Sequence, residues 1–164
     1  MHITVLGQDS HRVLTAMDPA QPLKLGGYTV PDALGFEANS DGDILLHSLT
    51  NAISNLTGEI VLGAKADELC LEQNITDSSV YLKYALAELT RQARWQIDFV
   101  SFSIQAKRPK LLSHLPAIRA SIAELLDLSV EQVFITCTTG EGLTGMGRGE
   151  GMEALCLLSA SSRD

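Results

Sequence analysis

The sequence has few cysteines, and their spacing excludes the common cysteine-based sites. Only three are present, at Cys70, Cys137 and Cys156, and none belongs to a C-x-x-C pair. A disulfide framework needs paired cysteines in a secreted chain, and a thiolate zinc site needs clustered ones. We therefore expect three reduced thiols and a cytoplasmic location.

Excess positive charge and long apolar runs are also missing. The chain has 12 Lys and Arg residues against 20 Asp and Glu, a net charge of −8. Non-specific binding to nucleic acid requires a basic surface, so we expect no nucleic-acid partner. No window approaches the roughly 18 apolar residues of a membrane span. The N-terminus lacks a basic segment followed by an apolar run, so we expect neither a signal peptide nor a membrane partner.

Two catalytic signatures are absent as well. The chain contains no Walker loop and no G-x-S-x-G elbow, so neither motif supports a P-loop enzyme or a serine hydrolase. No linker, repeat or low-complexity stretch divides the sequence. This continuity predicts one domain over residues 1–164.

Apolar periodicity predicts an alternation of strands and helices. Strands are expected at "HITVLGQ", "IDFVSFSIQA", "EQVFITCTT" and, because a sheet needs a partner there, "MEALCLLSA"; helices are expected at "ILLHSLTNAISNLTG", "TDSSVYLKYALAELTRQA" and "LPAIRASIAELLDL". "PLKLGGYTVP" is typical of a hairpin or of a strand broken by glycines. The order β, hairpin, α, α, β, α, β, β predicts an α+β two-layer sandwich, a mixed sheet with helices on one face.

Three side chains form a candidate metal site. Asp9 and His11 stand two apart at the end of the first strand, so they project to the same side. His47 lies on the first helix, in a polar stripe with Asp43 and Asn51 at i, i+4 and i+8. One carboxylate and two imidazoles leave a fourth tetrahedral position open, as in catalytic zinc sites. The alternative is an exposed His11 and a His47 at the edge of the core.

The glycine-rich stretch from Thr136 to Gly151 is a second candidate site. Its glycines let backbone amides face an anion, and Thr138 and Thr139 add hydroxyl groups. Glu141 offers a hard oxygen ligand for Mg²⁺ or Mn²⁺. Arg148 is suited to bidentate phosphate binding. The alternative is a glycine-rich connection that binds nothing.

The segment "KRPK", Lys107 to Lys110, follows a predicted strand in an otherwise acidic protein. Its three cations and its proline suit a phosphate or the sugar-phosphate of a nucleotide. The alternative is a solvated turn.

Six motifs, in order along the chain, resemble those of one enzyme family. They are "DSH" from 9, "LGG" from 25, "SDGDILLHSLT" from 40, "RPKL" from 108, "TTGEG" from 138 and "GRGEG" from 147. Together they resemble the 2-C-methyl-D-erythritol 2,4-cyclodiphosphate synthase family, and the resemblance runs nearly end to end.

The resemblance implies a homotrimer whose active sites lie between neighbouring subunits. It implies that Asp9, His11 and His47 bind Zn²⁺, and that Glu141 holds Mg²⁺ or Mn²⁺ together with the substrate diphosphate. Thr139 would position and polarise the phosphate under attack. The implied substrate-binding residues are Asp9, Ser10, His11, Asn39, Ser40, Ala106, Lys107, Arg108, Pro109, Lys110, Leu111, Leu112, Thr138, Thr139, Gly140, Glu141 and Arg148.

Within this set, Ala106 to Leu112 would form the cytidine pocket of the neighbouring subunit, with Lys110 near the phosphates. Arg148 and Glu150 would face a channel along the threefold axis, where such trimers can hold an isoprenoid diphosphate.

The implied activity is that of a lyase in isoprenoid (terpenoid) biosynthesis by the non-mevalonate pathway. The 2-phosphate of 4-diphosphocytidyl-2-C-methyl-D-erythritol 2-phosphate would attack the β-phosphorus, closing the cyclodiphosphate ring and expelling CMP. Because two anions must approach each other, two cations and good positioning would supply most of the catalysis. No covalent nucleophile is needed.

The chain departs from the family pattern at several places. Asn39 stands where a catalytic histidine is usual, and it can donate a neutral hydrogen bond but cannot become a cation. Asn51 replaces an aspartate, and Gly140 replaces a threonine. The "DIG" and "FPDTD" motifs of the substrate lid are absent, and "IVLGAKADELCLEQNITDSS" from Ile60 to Ser79 takes their place.

Two other functions remain open from the sequence. The missing lid motifs are compatible with a non-catalytic, zinc-holding trimer that binds a cytidine nucleotide or an isoprenoid diphosphate. Two histidines and one carboxylate are also the ligands of iron oxygenases, although the resemblance disfavours that reading because those enzymes have a different fold.

Overall fold

A computed structural model of the protein describes residues 1–63, 66 and 68–163. Residue 164 of the predicted domain, and residues 64, 65 and 67 of the segment that replaces the lid, lie outside the described part. The strands are β1 (His2–Arg12), β2 (Lys24–Leu25), β3 (Tyr28–Thr29), β4 (Trp95–Ala106), β5 (Val133–Thr138) and β6 (Gly151–Ser162). The α-helices are α1 (Ile44–Thr57), α2 (Ser78–Gln92), α3 (Leu115–Leu126) and α4 (Gly145–Arg148).

The main sheet has the strand order β1-β6-β4-β5. Strand β6 pairs antiparallel with both β1 and β4, whereas β4 and β5 run parallel. A parallel pair needs a crossover, and α3 supplies it. The predicted mixed sheet is confirmed, and the last apolar segment is a strand of that sheet. The hairpin is confirmed as a separate pair formed by β2 and β3.

One face of this sheet carries the helices. On β4, Val100, Phe102 and Ile104 are buried, while Ser101 and Ser103 alternate with them on the opposite face. Helix α1 contacts β1 and β6, and α3 contacts β5. This alternation matches the period of two that the sequence shows, and the α+β class predicted from it is confirmed.

Helix α1 is buried along most of its length and sets the position of the candidate metal ligand His47. Asp43 caps its first turn by accepting hydrogen bonds from the backbone N–H groups of Leu45 and Leu46. Gly58 ends the helix in the left-handed conformation, with φ of 79°. Within the described residues, no helix is long and apolar enough to span a membrane.

Gly7 allows α1 to lie directly against β1. A Cβ at this position would stand 1.9 Å from the Ser48 carbonyl oxygen and 2.4 Å from the Ala52 nitrogen. Both atoms belong to the helix backbone, so no side chain could move aside to make room. The missing Cβ therefore brings His47 within reach of Asp9, two residues along the strand.

Asp43 joins the hairpin to α1 and takes no part in a polar stripe. Its buried carboxylate also accepts hydrogen bonds from the backbone N–H groups of Gly26 and Gly27, at 2.8 and 2.7 Å. Burial raises the pKa of Asp43, and these backbone donors oppose the rise. The polar stripe predicted from the i, i+4, i+8 spacing therefore does not include Asp43. As the N-cap of α1, Asp43 directs its carboxylate at backbone N–H groups of the first helical turn.

Candidate functional site

Asp9, His11 and His47 come together where β1 leaves the sheet. The Asp9 Oδ2 atom lies 2.9 Å from His47 Nδ1 and 3.2 Å from His11 Nε2. The two imidazole nitrogens are 3.3 Å apart. In the described part of the chain this is the group of side chains that could hold a metal ion. The exposed His11 of the alternative is not what the structure shows, because His11 is half-buried, His47 is buried and both rings face Asp9.

The chemistry of these three atoms fits a small divalent cation. When the carboxylate is ionised and each facing ring nitrogen is unprotonated, all three atoms are acceptors, and acceptors this close repel one another unless a cation lies between them. Tetrahedral zinc bonds of about 2.0–2.1 Å place ligand atoms about 3.3 Å apart. The observed separations of 2.9 to 3.3 Å approach that value.

The surroundings of His11 favour the neutral ring that metal binding requires. Burial lowers the pKa of His11, and the neighbouring His47 lowers it further, while Asp9 acts in the opposite direction. Phe36 packs against the His11 ring, with 5.8 Å between ring centroids. The ring is therefore held in place by apolar packing as well as by its polar neighbours.

A cavity of about 210 Å³ adjoins the metal triad (Asp9, His11 and His47). Asn39 and Ser40, both predicted to bind substrate, line it beside Asp9 and His47. The rest of its wall consists of Asn51, Leu62, Ala66, Cys70 and Tyr81. Three of these, Leu62, Ala66 and Cys70, come from the segment that replaces the family's lid motifs, so that segment still forms a wall of the site.

Cys70 ties this segment to Asn39. Its Sγ atom donates a hydrogen bond to the Asn39 carbonyl oxygen, at 3.3 Å. From the sequence, Cys70 was expected to be an isolated thiol, because no local pattern links it to a residue 31 positions away. A thiol in this cavity was therefore missed.

A second cavity, of about 500 Å³, lies between the end of β4 and β5. Its lining includes most of the predicted cytidine pocket together with three threonines of the glycine-rich stretch: Ala106, Lys107, Pro109, Lys110, Leu111, Leu112, Leu115, Ile135, Thr136, Cys137, Thr138 and Thr139. Arg108 instead lines two smaller cavities on the side of Leu34. The "KRPK" segment thus forms part of the wall of the second cavity, whereas Arg108 lines the two smaller cavities instead.

The glycine-rich stretch folds into compact turns after β5. Thr139 Oγ1 donates a hydrogen bond to Glu141 Oε1 at 3.2 Å, and Glu141 adopts a left-handed backbone with φ of 50°. Thr144 caps the short helix α4 through the Gly147 N–H. Glu141 is exposed and does not belong to the metal triad.

Arg148 and Glu150, predicted to face a channel, form an ion pair of 2.7 Å between Nε and Oε1. The hydrogen bond from Arg148 lowers the pKa of Glu150. Glu150 also lines a cavity of about 320 Å³ with Ser10 and His11. The end of the glycine-rich stretch therefore borders the metal triad.

Two residues next to the His47 ring, Ser78 and Asp41, were not predicted from the sequence. Ser78 Oγ lies 2.8 Å from His47 Nε2, and the Ser78 hydroxyl donates a hydrogen bond to Asp41. No local pattern signals this contact, because Ser78 lies 31 positions from His47.

Comparison with known proteins identifies the family. The model of the YgbB family matches residues 3–161. Proteins named 2-C-methyl-D-erythritol 2,4-cyclodiphosphate synthase from Chlamydia muridarum and Chlamydia caviae are 47% and 45% identical over 154 and 156 residues. These alignments cover 94% and 95% of this chain and 85% and 87% of those proteins.

Solved structures share the fold. The bifunctional IspDF from Campylobacter jejuni superposes with a TM-score of 0.86 at 30% identity, covering 100% of this chain and 43% of that longer chain. A 2C-methyl-D-erythritol-2,4-cyclodiphosphate synthase in its CDP-bound form superposes with a TM-score of 0.81 at 26% identity, covering 97% and 100% of the two chains. The resemblance that the motifs predict is thereby confirmed, and the chain belongs to the YgbB family of 2-C-methyl-D-erythritol 2,4-cyclodiphosphate synthases.

Proposed function

We propose that this protein is a lyase that cyclises 4-diphosphocytidyl-2-C-methyl-D-erythritol 2-phosphate to 2-C-methyl-D-erythritol 2,4-cyclodiphosphate with release of CMP. The reaction belongs to isoprenoid biosynthesis by the non-mevalonate pathway. The observation that carries the proposal is the metal triad, three acceptor atoms within 3.3 Å of one another beside a cavity. Relatives named for this activity at 47% identity support it.

Divalent cations are part of the proposal. Asp9, His11 and His47 would hold Zn²⁺, and Glu141 would hold Mg²⁺ or Mn²⁺ together with the diphosphate. These ions would supply Lewis-acid polarisation of the phosphoryl oxygens and neutralise their charge. The nitrogen-rich donor set of the triad suits zinc, while the exposed carboxylate of Glu141 suits the harder ions.

The roles proposed for the other residues follow from their positions. Thr139 lies at the wall of the larger cavity, where its hydroxyl could bond a phosphate oxygen next to Glu141. Lys107 and Lys110 give the same wall two cations for the phosphates. Apolar side chains, including Leu111 and Leu115, would enclose the cytosine ring. This accounts for a nucleotide site in a protein of net charge −8.

Asn39 and Ser40 would contact the methylerythritol part of the substrate in the smaller cavity. Asn39 can offer a hydrogen bond without a positive charge, so charge neutralisation would rest on the cations and lysines. Thr138 and Gly140 would complete the phosphate contacts through the turns that follow β5.

We also propose that the chain acts as a homotrimer of single domains. The sheet face opposite the helices exposes apolar side chains, Leu6, Phe99, Phe134 and Leu157, and large exposed apolar patches mark interaction surfaces. Among the residues that the structure describes, the two cavities share no lining residue within one chain. A site completed by a neighbour would join them, and Arg148 and Glu150 would then face the threefold axis.

The test is a phosphorus NMR assay of purified protein with Zn²⁺ and Mg²⁺. We expect conversion of the cytidylyl substrate to the cyclic diphosphate and CMP. His47→Gln should lower kcat/KM at least about 100-fold, since it removes one of three metal ligands. His114→Gln is the matched control, because His114 bonds Tyr28 at 3.4 Å and lies outside the metal triad.

The same assay separates this function from a non-catalytic one. CMP binding measured by calorimetry, without turnover by the intact oligomer, would contradict the proposed activity and favour a nucleotide-binding relative. The chain belongs to the synthase family and has a relative at 47% identity, and no observation favours an iron oxygenase.

A further inference from the structure

The two ring nitrogens of His47 face different partners. Nδ1 faces Asp9 Oδ2 at 2.9 Å and belongs to the metal triad. Nε2 faces away from the triad and lies 2.8 Å from the hydroxyl oxygen of Ser78. Ser78 has no exposed surface, and His47 is only 8% exposed. The contact between them is therefore shielded from water, and its hydrogen-bond pattern must be complete within the protein.

The hydrogen bonds that Asp41 accepts determine where the protons lie in the contact between Ser78 and His47. Its carboxylate accepts hydrogen bonds from the hydroxyl of Ser78 and from the Ser78 backbone N–H, and it lies 3.3 Å from the ammonium group of Lys24. An ionised carboxylate can only accept. The single hydroxyl proton of Ser78 therefore points to Asp41. The serine oxygen then offers a lone pair to His47, so Nε2 must carry a proton.

This proton arrangement leaves a lone pair on Nδ1. In the other tautomer, an Nδ1–H would donate to Asp9 at 2.9 Å, an arrangement that is favourable without a metal and that blocks metal binding. Ser40 Oγ is a weaker partner for Nε2, at 3.5 Å, and it already accepts a hydrogen bond from the Gly42 N–H at 3.2 Å. Ser78 is thus the group that decides between the two tautomers.

Hydrogen bonds that involve the backbone hold Asp41 and Ser78 next to each other. The Asp41 N–H donates to the Thr76 carbonyl oxygen at 2.8 Å, and the Asp43 N–H donates to Asp41 Oδ1 at 3.3 Å. Asp77 caps the first turn of α2, of which Ser78 is the first residue. These bonds join the loop before α1 to the start of α2 and so keep Ser78 beside His47.

We propose that Ser78, oriented by Asp41, is a positioning residue that fixes His47 in the Nε2–H tautomer and so presents Nδ1 to the divalent cation. This role rests on the metal site proposed above. Groups that orient a metal-bound histidine in this way typically change metal affinity 10- to 100-fold when they are removed.

The first experiment measures zinc affinity by competition with a chromophoric chelator. Ser78→Ala should bind zinc at least about tenfold more weakly than wild type. Ser79→Ala, one position along the same helical turn, removes a hydroxyl that bonds Asp77 and should stay within about twofold of wild type. Ser78→Thr keeps the hydroxyl and should restore most of the affinity. Equal affinity in wild type and Ser78→Ala would overturn the role of Ser78.

The second experiment observes the tautomer directly in the metal-free protein. Long-range proton–nitrogen NMR of ¹⁵N-histidine protein should show His47 protonated at Nε2 in wild type, with the signals assigned by their loss in His47→Gln. Ser78→Ala should shift the ring toward the Nδ1–H form. A wild-type ring protonated at Nδ1 would overturn the proposal, even if Ser78→Ala failed to fold.

The two experiments distinguish failure of this role from failure of the proposed function. Wild-type protein that binds no zinc would contradict the metal site and the role of Ser78 together. Zinc binding that does not depend on the Ser78 hydroxyl would contradict only the second.

Discussion

Replacement of Gly7 by alanine tests how the fold builds the metal triad. The new Cβ would lie 1.9 Å from the Ser48 carbonyl oxygen, about 1.5 Å closer than the 3.4 Å at which ordinary van der Waals contact begins. The obstacle is helix backbone, so β1 and α1 must separate. Overpacking of this kind costs about 1–3 kcal/mol, and we expect the upper end because no side chain can yield. The melting temperature should fall by about 6–12 °C.

The same separation should disturb the triad. His47 precedes Ser48 on α1 and Asp9 follows Gly7 on β1, so a shift of about 1 Å between the two elements must lengthen their 2.9 Å contact. Metal bonds tolerate only about 0.2 Å. We therefore expect zinc affinity, measured by chelator competition, to fall at least about tenfold in Gly7→Ala, beyond the loss of stability.

Gly58→Ala is the matched control. Gly58 also has a left-handed backbone, with φ of 79°, but no atom of the described residues lies within 4 Å of its missing Cβ. Its substitution should cost about 1 kcal/mol for the left-handed conformation and leave zinc affinity unchanged. If Gly7→Ala melted at the temperature of Gly58→Ala and bound zinc as wild type does, close packing at Gly7 would not be what builds the triad.

Three further predictions concern the core, the assembly and the nucleotide cavity. Asp43→Asn should lower the free energy of unfolding by about 1–3 kcal/mol in urea denaturation, because its amide nitrogen would face the Gly27 N–H, a donor against a donor; unchanged stability would show that another acceptor replaces the carboxylate. Leu157→Glu on the exposed sheet face should convert the proposed trimer to smaller species in light scattering, while Ile60→Glu, at a position that is 80% exposed, should not. Cys137→Phe should fill part of the 500 Å³ cavity and weaken CMP binding at least about tenfold in calorimetry without altering zinc affinity; normal CMP binding would contradict the assignment of this cavity.

Local periodicity was enough to predict most of the fold. The period of two in β4 and the apolar face of α1 are properties of short segments, and such patterns predicted most of the element order and the α+β class. The strand β6 was expected because the sheet needed a partner there, since its periodicity fitted a helix as well. The pairing of Asp9 with His11 was equally local, because residues two apart on a strand share a side. His47 could be added because it stands at a polar position on a predicted apolar helix, although the contact of that helix with the strand was not predicted.

What the sequence did not predict depends on partners far along the chain. Asp43 was expected beside His47, but its capping bonds and the amides of Gly26 and Gly27 turn it toward the hairpin. Ser78 is 31 positions from His47, and no pattern in either segment indicates their contact. Such contacts arise from packing of whole elements, which single-segment patterns cannot represent.

The metal triad and the wall of the adjoining cavity depend on different parts of the chain, so a substitution can alter the wall without moving the triad. Strand β1, held along its length by β6, and helix α1, brought close by Gly7, fix the three ligands. In the segment from Ile60 to Ser79, Leu62, Ala66 and Cys70 line the cavity, so substitutions at these positions would reshape its wall. Ser78, near the end of the segment, instead contacts His47 at 2.8 Å, so a substitution there would also disturb the metal triad. The segment is therefore constrained where it touches the triad and freer to vary where it lines the cavity.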